Sequence, residues 1–396
     1  VSRKLPDFLE GYLAYTDNTE PPRSYHVWCA LSVIAAALKR RVYIKWGHKL
    51  IYPNMYVVLI GPSGRCRKGT AMGIAEEIVR DAGIMVTGES VTREQLIRAM
   101  AESIDSFENP STGEIEFHCS MYCMSQELSV FLGQGETRFL ADLTDWYDCR
   151  KEWRYETKQS GKDHLTGVCF NLLGATAADW LQSILPEEAV GGGFTSRIIF
   201  VVEEKKGKII PEYSVTKEQL ELKSALVHDL QQILLMAGEM RFEEKARKAY
   251  EAWYLDQERK MDRGEMPIAD PRFSGYCDRR ATHVRKLAMV MSASRSNSMT
   301  VTLKDFERAL ACLLEIEPNM AKTFGGMGKA KYADATDKII GILQERRSVR
   351  RSDLLRMFYR DVDSLGMDII EKVLVDMNLI KVKIDPLNNE TVYELR

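Results

Sequence analysis

The sequence predicts an α/β fold with a parallel sheet, a helical region after it, and a small C-terminal module of three helices and a hairpin. Three observations predict it. Residues 55–60 form an unbroken apolar run of strand length, as a strand covered on both faces requires. A glycine-bearing loop, 61–70, and a helical pattern, 71–82, follow directly, which is the first unit of an α/β fold. Short apolar runs and amphipathic segments then alternate to about residue 204, where the alternation gives way to long helical patterns.

Each element has its own justification. Residues 25–40 carry an apolar face at helical spacing just after Pro21-Pro22. Residues 84–86 read as a short strand, and Thr92 with Gln95 opens a helix to about 103. Residues 117–124 read as a strand and 138–147 as a helix. The polar, basic stretch 150–164, with Trp153 and Tyr155, reads as a hairpin. Strand 168–173, helix 177–185 and strand 197–202 complete the core. Thr216 with Gln219 opens a helix to about 236, and helices near 242–262, 278–294 and 303–318 follow. Gly325-Gly326-Met327-Gly328 is a break. Helices 336–346, 352–360 and 365–378, strand 379–384, a turn at 386–389 and strand 391–395 make the winged-helix order. The expected divisions are an N-terminal helical segment 1–50, an α/β core 51–205, a helical lid 206–328 and a winged helix 329–396.

Composition narrows the function. With 45% hydrophobic and 28% charged residues, the 396-residue chain is neither disordered nor fibrous. A net charge of −2 argues against wholesale coating of a polyanion but permits local basic patches. No apolar run reaches the ~18 residues of a bilayer span. The eight cysteines are scattered without zinc-site spacing and read as reduced packing residues, which places the protein in the cytoplasm with no membrane partner. The sequence starts at Val1 and reads as a piece of a longer chain.

The stretch Gly61-Pro62-Ser63-Gly64-Arg65-Cys66-Arg67-Lys68-Gly69-Thr70 resembles a Walker A loop, in which glycines let backbone N–H groups close round phosphate oxygens at a helix N-terminus. It departs from the usual spacing. A one-residue insertion makes Lys68 the phosphate lysine and Thr70 the magnesium hydroxyl; without it, Arg67 takes the lysine place. Glu127, at the end of strand 117–124, is the expected base orienting the attacking water, with Gln126 where an acidic magnesium ligand usually stands. Ser125 is a further metal candidate. Thr176, or Asn171 on the same strand, is the candidate sensor of the γ-phosphate. Arg197, after Gly191-Gly192-Gly193, is the candidate trans-acting arginine on a subunit edge. Arg285 and Arg280 are candidates for reaching the nucleotide from the lid.

Together these residues, with W-C-A-L-S-V-I-A-A-A-L-K-R-R-V, Y-P-N-M-Y-V-V-L-I-G-P-S-G, S-Q-E-L-S-V-F-L, N-L-L-G-A-T and G-G-G-F-T-S-R, resemble the P-loop ATPases of phages, plasmids and other mobile elements. Those are primase-helicase-like or replicative-helicase-like proteins, similar in motif order to AAA+ and MCM-like helicases. The resemblance implies ATP and Mg2+ as cofactors. It also implies a homo-oligomeric ring, expected to be a hexamer, that moves single-stranded DNA through its pore during replication, with a primase or other replication protein as possible partner. It puts Lys68, Thr70 and Glu127 on one face of each ATP site and Arg197 on the neighbour's. The basic-aromatic stretch 150–162 is the candidate pore hairpin. The arginines 346, 347, 350, 351, 356 and 360 of the C-terminal module are open to phosphate or protein binding, because the helix in the recognition position is acidic. The other reading of the chain is a nucleotide-switched DNA-binding loader or regulator with little hydrolysis.

Overall fold

The computed structural model describes residues 2–87, 91–133, 137–157, 161–185, 189–324, 332–385 and 390–396. They belong to two compact units, Val1–Gly325 and Gly326–Arg396.

The larger unit is an α/β structure built on a six-stranded sheet. In space the strands run Ile198–Val202, Tyr56–Ile60, Val168–Thr176, Ile115–Ser125 and Val86–Thr87, all parallel, and Ile104–Glu108 pairs antiparallel with Ile115–Ser125. Taken in chain order, the five parallel strands lie 5-1-4-3-2. Tyr56–Ile60, Val168–Thr176 and Ile198–Val202 are buried at every residue, which is why they read as unbroken apolar runs. All five carboxyl ends point to one edge, where the loop after Tyr56–Ile60 leads into helix Lys68–Asp81. That crevice is where open parallel sheets place their ligands.

The N-terminal helices belong to the same unit. Helix Arg23–Leu38 starts after Pro22 and is buried at every residue but Arg23. It is apolar all round because it lies between the sheet and the helices Phe8–Thr16, Lys68–Asp81, Lys217–Leu234 and Ser274–Arg295. Asp7 caps Phe8–Thr16 and also pairs with Arg308 at 2.6 Å, tying the start of the chain to helix Leu303–Met320. Asp229, fully buried, accepts the backbone N–H groups of Lys4 and Leu5.

The helical region folds onto this core. Thr216 and Gln219 form the expected capping box of Lys217–Leu234, and Thr302 with Asp305 forms one for Leu303–Met320. Helix Glu244–Asp262 follows the first of these, and helix Ser274–Arg295 runs through the interior. The hairpin of Val42–Trp46 with Lys49–Ile51 joins the region through Gly238–Glu239, which pairs with Val42 and Tyr43.

The smaller unit contains helices Ala333–Arg346, Arg351–Met357 and Ser364–Asp376 and a sheet in the order Ser348–Arg350, Glu390–Leu395, Ile380–Asp385, antiparallel throughout. Ile339, Leu343, Leu354, Ile370 and Tyr393 fill its core. Gly366 is required there: a Cβ would stand 2.6 Å from the Tyr332 ring. The glycine break at 325–328 and the turn at 386–389 lie outside the described residues. Among the described residues, no helix is long and apolar enough to cross a membrane.

Candidate functional site

The loop at the carboxyl edge is built from its neighbours upward. Gly61 has no room for a side chain, since a Cβ would come within 2.6 Å of the Glu203 carbonyl and 2.7 Å of the Tyr25 hydroxyl. Its N–H donates to the Thr176 carbonyl (3.3 Å), and Tyr25 donates to the Ile60 carbonyl (2.7 Å). The Cys66 thiol donates to the Glu203 carbonyl. The rear of the loop is thus anchored to three buried elements, while Pro62, Ser63, Gly64 and Arg65 face solvent.

Lys68 is the first residue of helix Lys68–Asp81. Its ammonium folds back over the loop and donates to the carbonyls of Gly61 (2.5 Å) and Pro62 (3.3 Å). Burial pulls it below the usual lysine range, opposed by Cys66 and by the Glu127 carboxylate. Arg67, the N-cap, has φ +56°, ψ +35°. This left-handed conformation favours glycine, the residue that the loop pattern asks for here. The Arg67 guanidinium turns away to Glu20 (2.8 Å), which also binds Lys206. Of the two candidates, Lys68 therefore overhangs the loop and Arg67 does not.

The other strand ends converge on the same place. A Cβ on Gly69 would sit 3.0 Å from Oε1 of Gln126, so the missing side chain lets that amide approach the helix start. Glu127 is exposed at the end of Ile115–Ser125, and Thr70 is exposed in the first helical turn. Ser125 Oγ is buried and has no partner among the described residues. Thr176 is buried beside Gly61; its hydroxyl donates to the Ala177 carbonyl at 3.2 Å. Among the described residues, the N–H groups of Gly64, Lys68 and Gly69 have no acceptor, as expected of a helix start that faces an anion. Such a site fits a phosphate chain: unpaired amides, an overhanging ammonium, and hydroxyl, amide and carboxylate groups on one side. No group of three or more His, Cys, Asp or Glu able to hold a metal unaided is found among the described residues, so a cation here would rely on Thr70, Gln126, Ser125 and the phosphates.

The remaining candidates lie elsewhere. Asn171 is buried toward the opposite edge of the sheet, where its Oδ1 accepts the Met55 N–H (3.0 Å); it is a backbone clamp. Arg197 precedes Ile198–Val202, so it too is at the opposite edge. The expectation of a guanidinium free on a subunit edge is corrected: Arg197 is 5% exposed and bonded to Asp148 (2.6 Å) and the Gly193 carbonyl (2.6 Å). Arg285 lies over the rings of Trp46 (3.8 Å) and Tyr250 (4.3 Å), in a cleft with Glu239 and Arg247, and not at the loop. Arg280 is a core residue, held by both Glu317 oxygens (2.5 and 2.8 Å) and by Gln257.

The expected hairpin is present as Glu152–Thr157 paired with Gly161–Thr166. Trp153 packs on Trp146, and Arg93 lies 4.7 Å over the Tyr155 ring, so its aromatics are engaged within the chain. Arg154 pairs with Glu152. Lys158 lies outside the described residues. In the smaller unit, Arg351 pairs with Asp368 and Glu371, and Arg350 reaches Asp385 and Glu390. The exposed face of Ser364–Asp376 carries Leu365, Ile369 and Val373.

Sequence reasoning missed the loop's supports, Tyr25, Glu20 and Glu203. Nothing near the glycines marks them, because they arrive from distant elements. It also missed the basic surroundings of Lys286 at the opposite edge. No protein-family model matches the chain, and no curated protein matches it.

Proposed function

We propose that the chain is an ATPase of the P-loop, AAA+-like kind, driving translocation on or unwinding of DNA, with its loop at 61–70 as the phosphate site. The observation that carries this reading is Lys68: it opens the helix after the central buried strand, folded over the loop carbonyls and within the field of Glu127. The 5-1-4-3-2 strand order supports it, since it sets the Thr176 strand between the loop strand and the Glu127 strand and gathers all three ends at one crevice.

Bound ATP with Mg2+ would supply the triphosphate and the charge that makes its terminal phosphorus open to attack. The chain's share is positional. Lys68 would exchange its two carbonyls for phosphate oxygens, the free amides would hold the same phosphates, and Thr70 and Gln126 would hold the cation. Glu127 accepts the proton of the attacking water. Helix–strand order in the smaller unit supports a winged helix, but its paired arginines and the apolar face of Ser364–Asp376 favour protein contact over phosphate contact.

One observation favours the loader reading: the neutral Gln126 amide stands where a carboxylate would hold the metal more firmly. ATP turnover measured with and without single-stranded DNA, together with fork unwinding, tests the choice. DNA-stimulated turnover with unwinding is expected. Nucleotide binding without turnover would establish the switch instead.

A further inference from the structure

At the amino ends of the strands, a second cleft of ≈ 620 Å³ lies between the hairpin of Val42–Trp46 and Lys49–Ile51, the end of helix Thr137–Tyr147, and helix Ser274–Arg295. The seven residues from Asn54 to Gly61 put it roughly 20 Å from the loop, beyond the reach of one nucleotide's phosphates.

Its lining carries five cations, Arg40, Lys49, Lys151, Arg279 and Lys286, and one carboxylate, Asp148. That carboxylate is already bound by Arg197 at 2.6 Å. Among the described residues, none of the five forms an ion pair. Lys286 is buried, donates to Asn54 Oδ1 (2.5 Å) and to the Asn54 carbonyl (3.0 Å), and lies 4.1 Å over the Tyr147 ring. Burial lowers it to about 8, which leaves it charged at neutral pH. Arg40 lies 4.2 Å over the Tyr52 ring with its Nη1 buried and unpartnered. Arg279 donates to Ser196 Oγ, and burial and the nearby Arg197 guanidinium lower it. Buried like charges are costly unless an anion joins them. Trp46, 41% exposed, stands at the rim with Arg285 stacked on its ring.

We propose that this cleft binds a nucleotide unit, its phosphate held by Arg40, Lys49, Lys151 and Arg279 and its base stacked on Trp46. The cations and the ring are the two components that such a unit needs. The site stands on its own geometry; only the choice of a DNA strand over a free nucleotide rests on the proposed function.

The test uses the full chain and a fluorescein-labelled oligothymidine of about 20 nucleotides, titrated by anisotropy at two salt concentrations. Lys49→Glu/Lys151→Glu reverses two exposed, unpaired charges, and thermal melting checks its fold. The expected result is binding weakened at least about tenfold, with a salt dependence shallower by about 1.4 in log–log slope. Trp46→Ala should weaken binding with the slope unchanged. A labelled ADP analogue titrated into Lys68→Ala chains detects a free-nucleotide ligand: residual binding that charge reversal removes assigns the cleft to mononucleotides. Affinities for both probes that charge reversal leaves unmoved would overturn the cleft. If Lys68→Ala keeps full ATP affinity while charge reversal abolishes oligonucleotide binding, the loop reading falls and the cleft stands.

Discussion

Replacing Lys68 with alanine removes the ammonium that, among the described residues, overhangs the loop. In the free chain that group already satisfies the Gly61 and Pro62 carbonyls, so its net value to ATP is the difference between two sets of bonds. Hydrogen bonds to charged groups are worth about 1.5–3 kcal/mol each, so two to phosphate oxygens give roughly 3–6 kcal/mol. Giving up one short and one long bond to neutral carbonyls takes back a third to a half. A net loss of about 1.5–4 kcal/mol follows, and nucleotide affinity should fall roughly 10- to 900-fold. Calorimetric titration with a non-hydrolysable ATP analogue measures it directly. Arg67→Ala is the control, because that side chain is spent on Glu20 outside the loop; its effect should stay within about threefold. Equal losses in the two variants, or a larger loss for Arg67→Ala, would refute the assignment of the overhanging charge.

Other outcomes follow from the same geometry. Glu127→Gln should bind ATP like the parent and lose turnover; turnover at the parent rate would remove Glu127 from the reaction. Arg280→Ala leaves Glu317 as an unpaired buried charge and should cost about 3–5 kcal/mol in denaturant unfolding. Three buried histidines set a pH dependence: burial lowers His26 and His118 to about 4 and His283 to about 3. The unfolded chain therefore binds more protons than the folded one below about pH 6.5. Stability is full above that value and falls as pH drops toward 4. A melting temperature that stays flat from pH 7 to pH 5 would contradict this.

Much of the architecture was legible because it rests on local rules. The strands buried on both faces announce themselves as apolar runs, and Thr92 and Thr216 open their helices by capping. The short, polar strands were not legible: Ile104–Glu108 is exposed at all but Phe107, and Ser348–Arg350 is too short and charged to show a period. At the loop, glycines, lysine and strand–loop–helix order marked the place, but the register between Lys68 and Arg67 was open. It turns on a single backbone torsion and on Glu20, some 47 positions away in sequence.

By itself, then, the sequence determined the α/β class, the glycine-bearing loop after the buried strand and the helical region after it, since each follows from neighbouring residues along the chain. Only the tertiary structure decided which cations are free. It spent Arg197 on Asp148, Arg280 on Glu317 and Arg351 on Asp368, and left Arg40, Lys151 and Arg279 around one cleft without an ion pair among the described residues. The reason is physical: whether a charge is available depends on what lies within about 4 Å of it in space, and folding brings those partners from far along the chain.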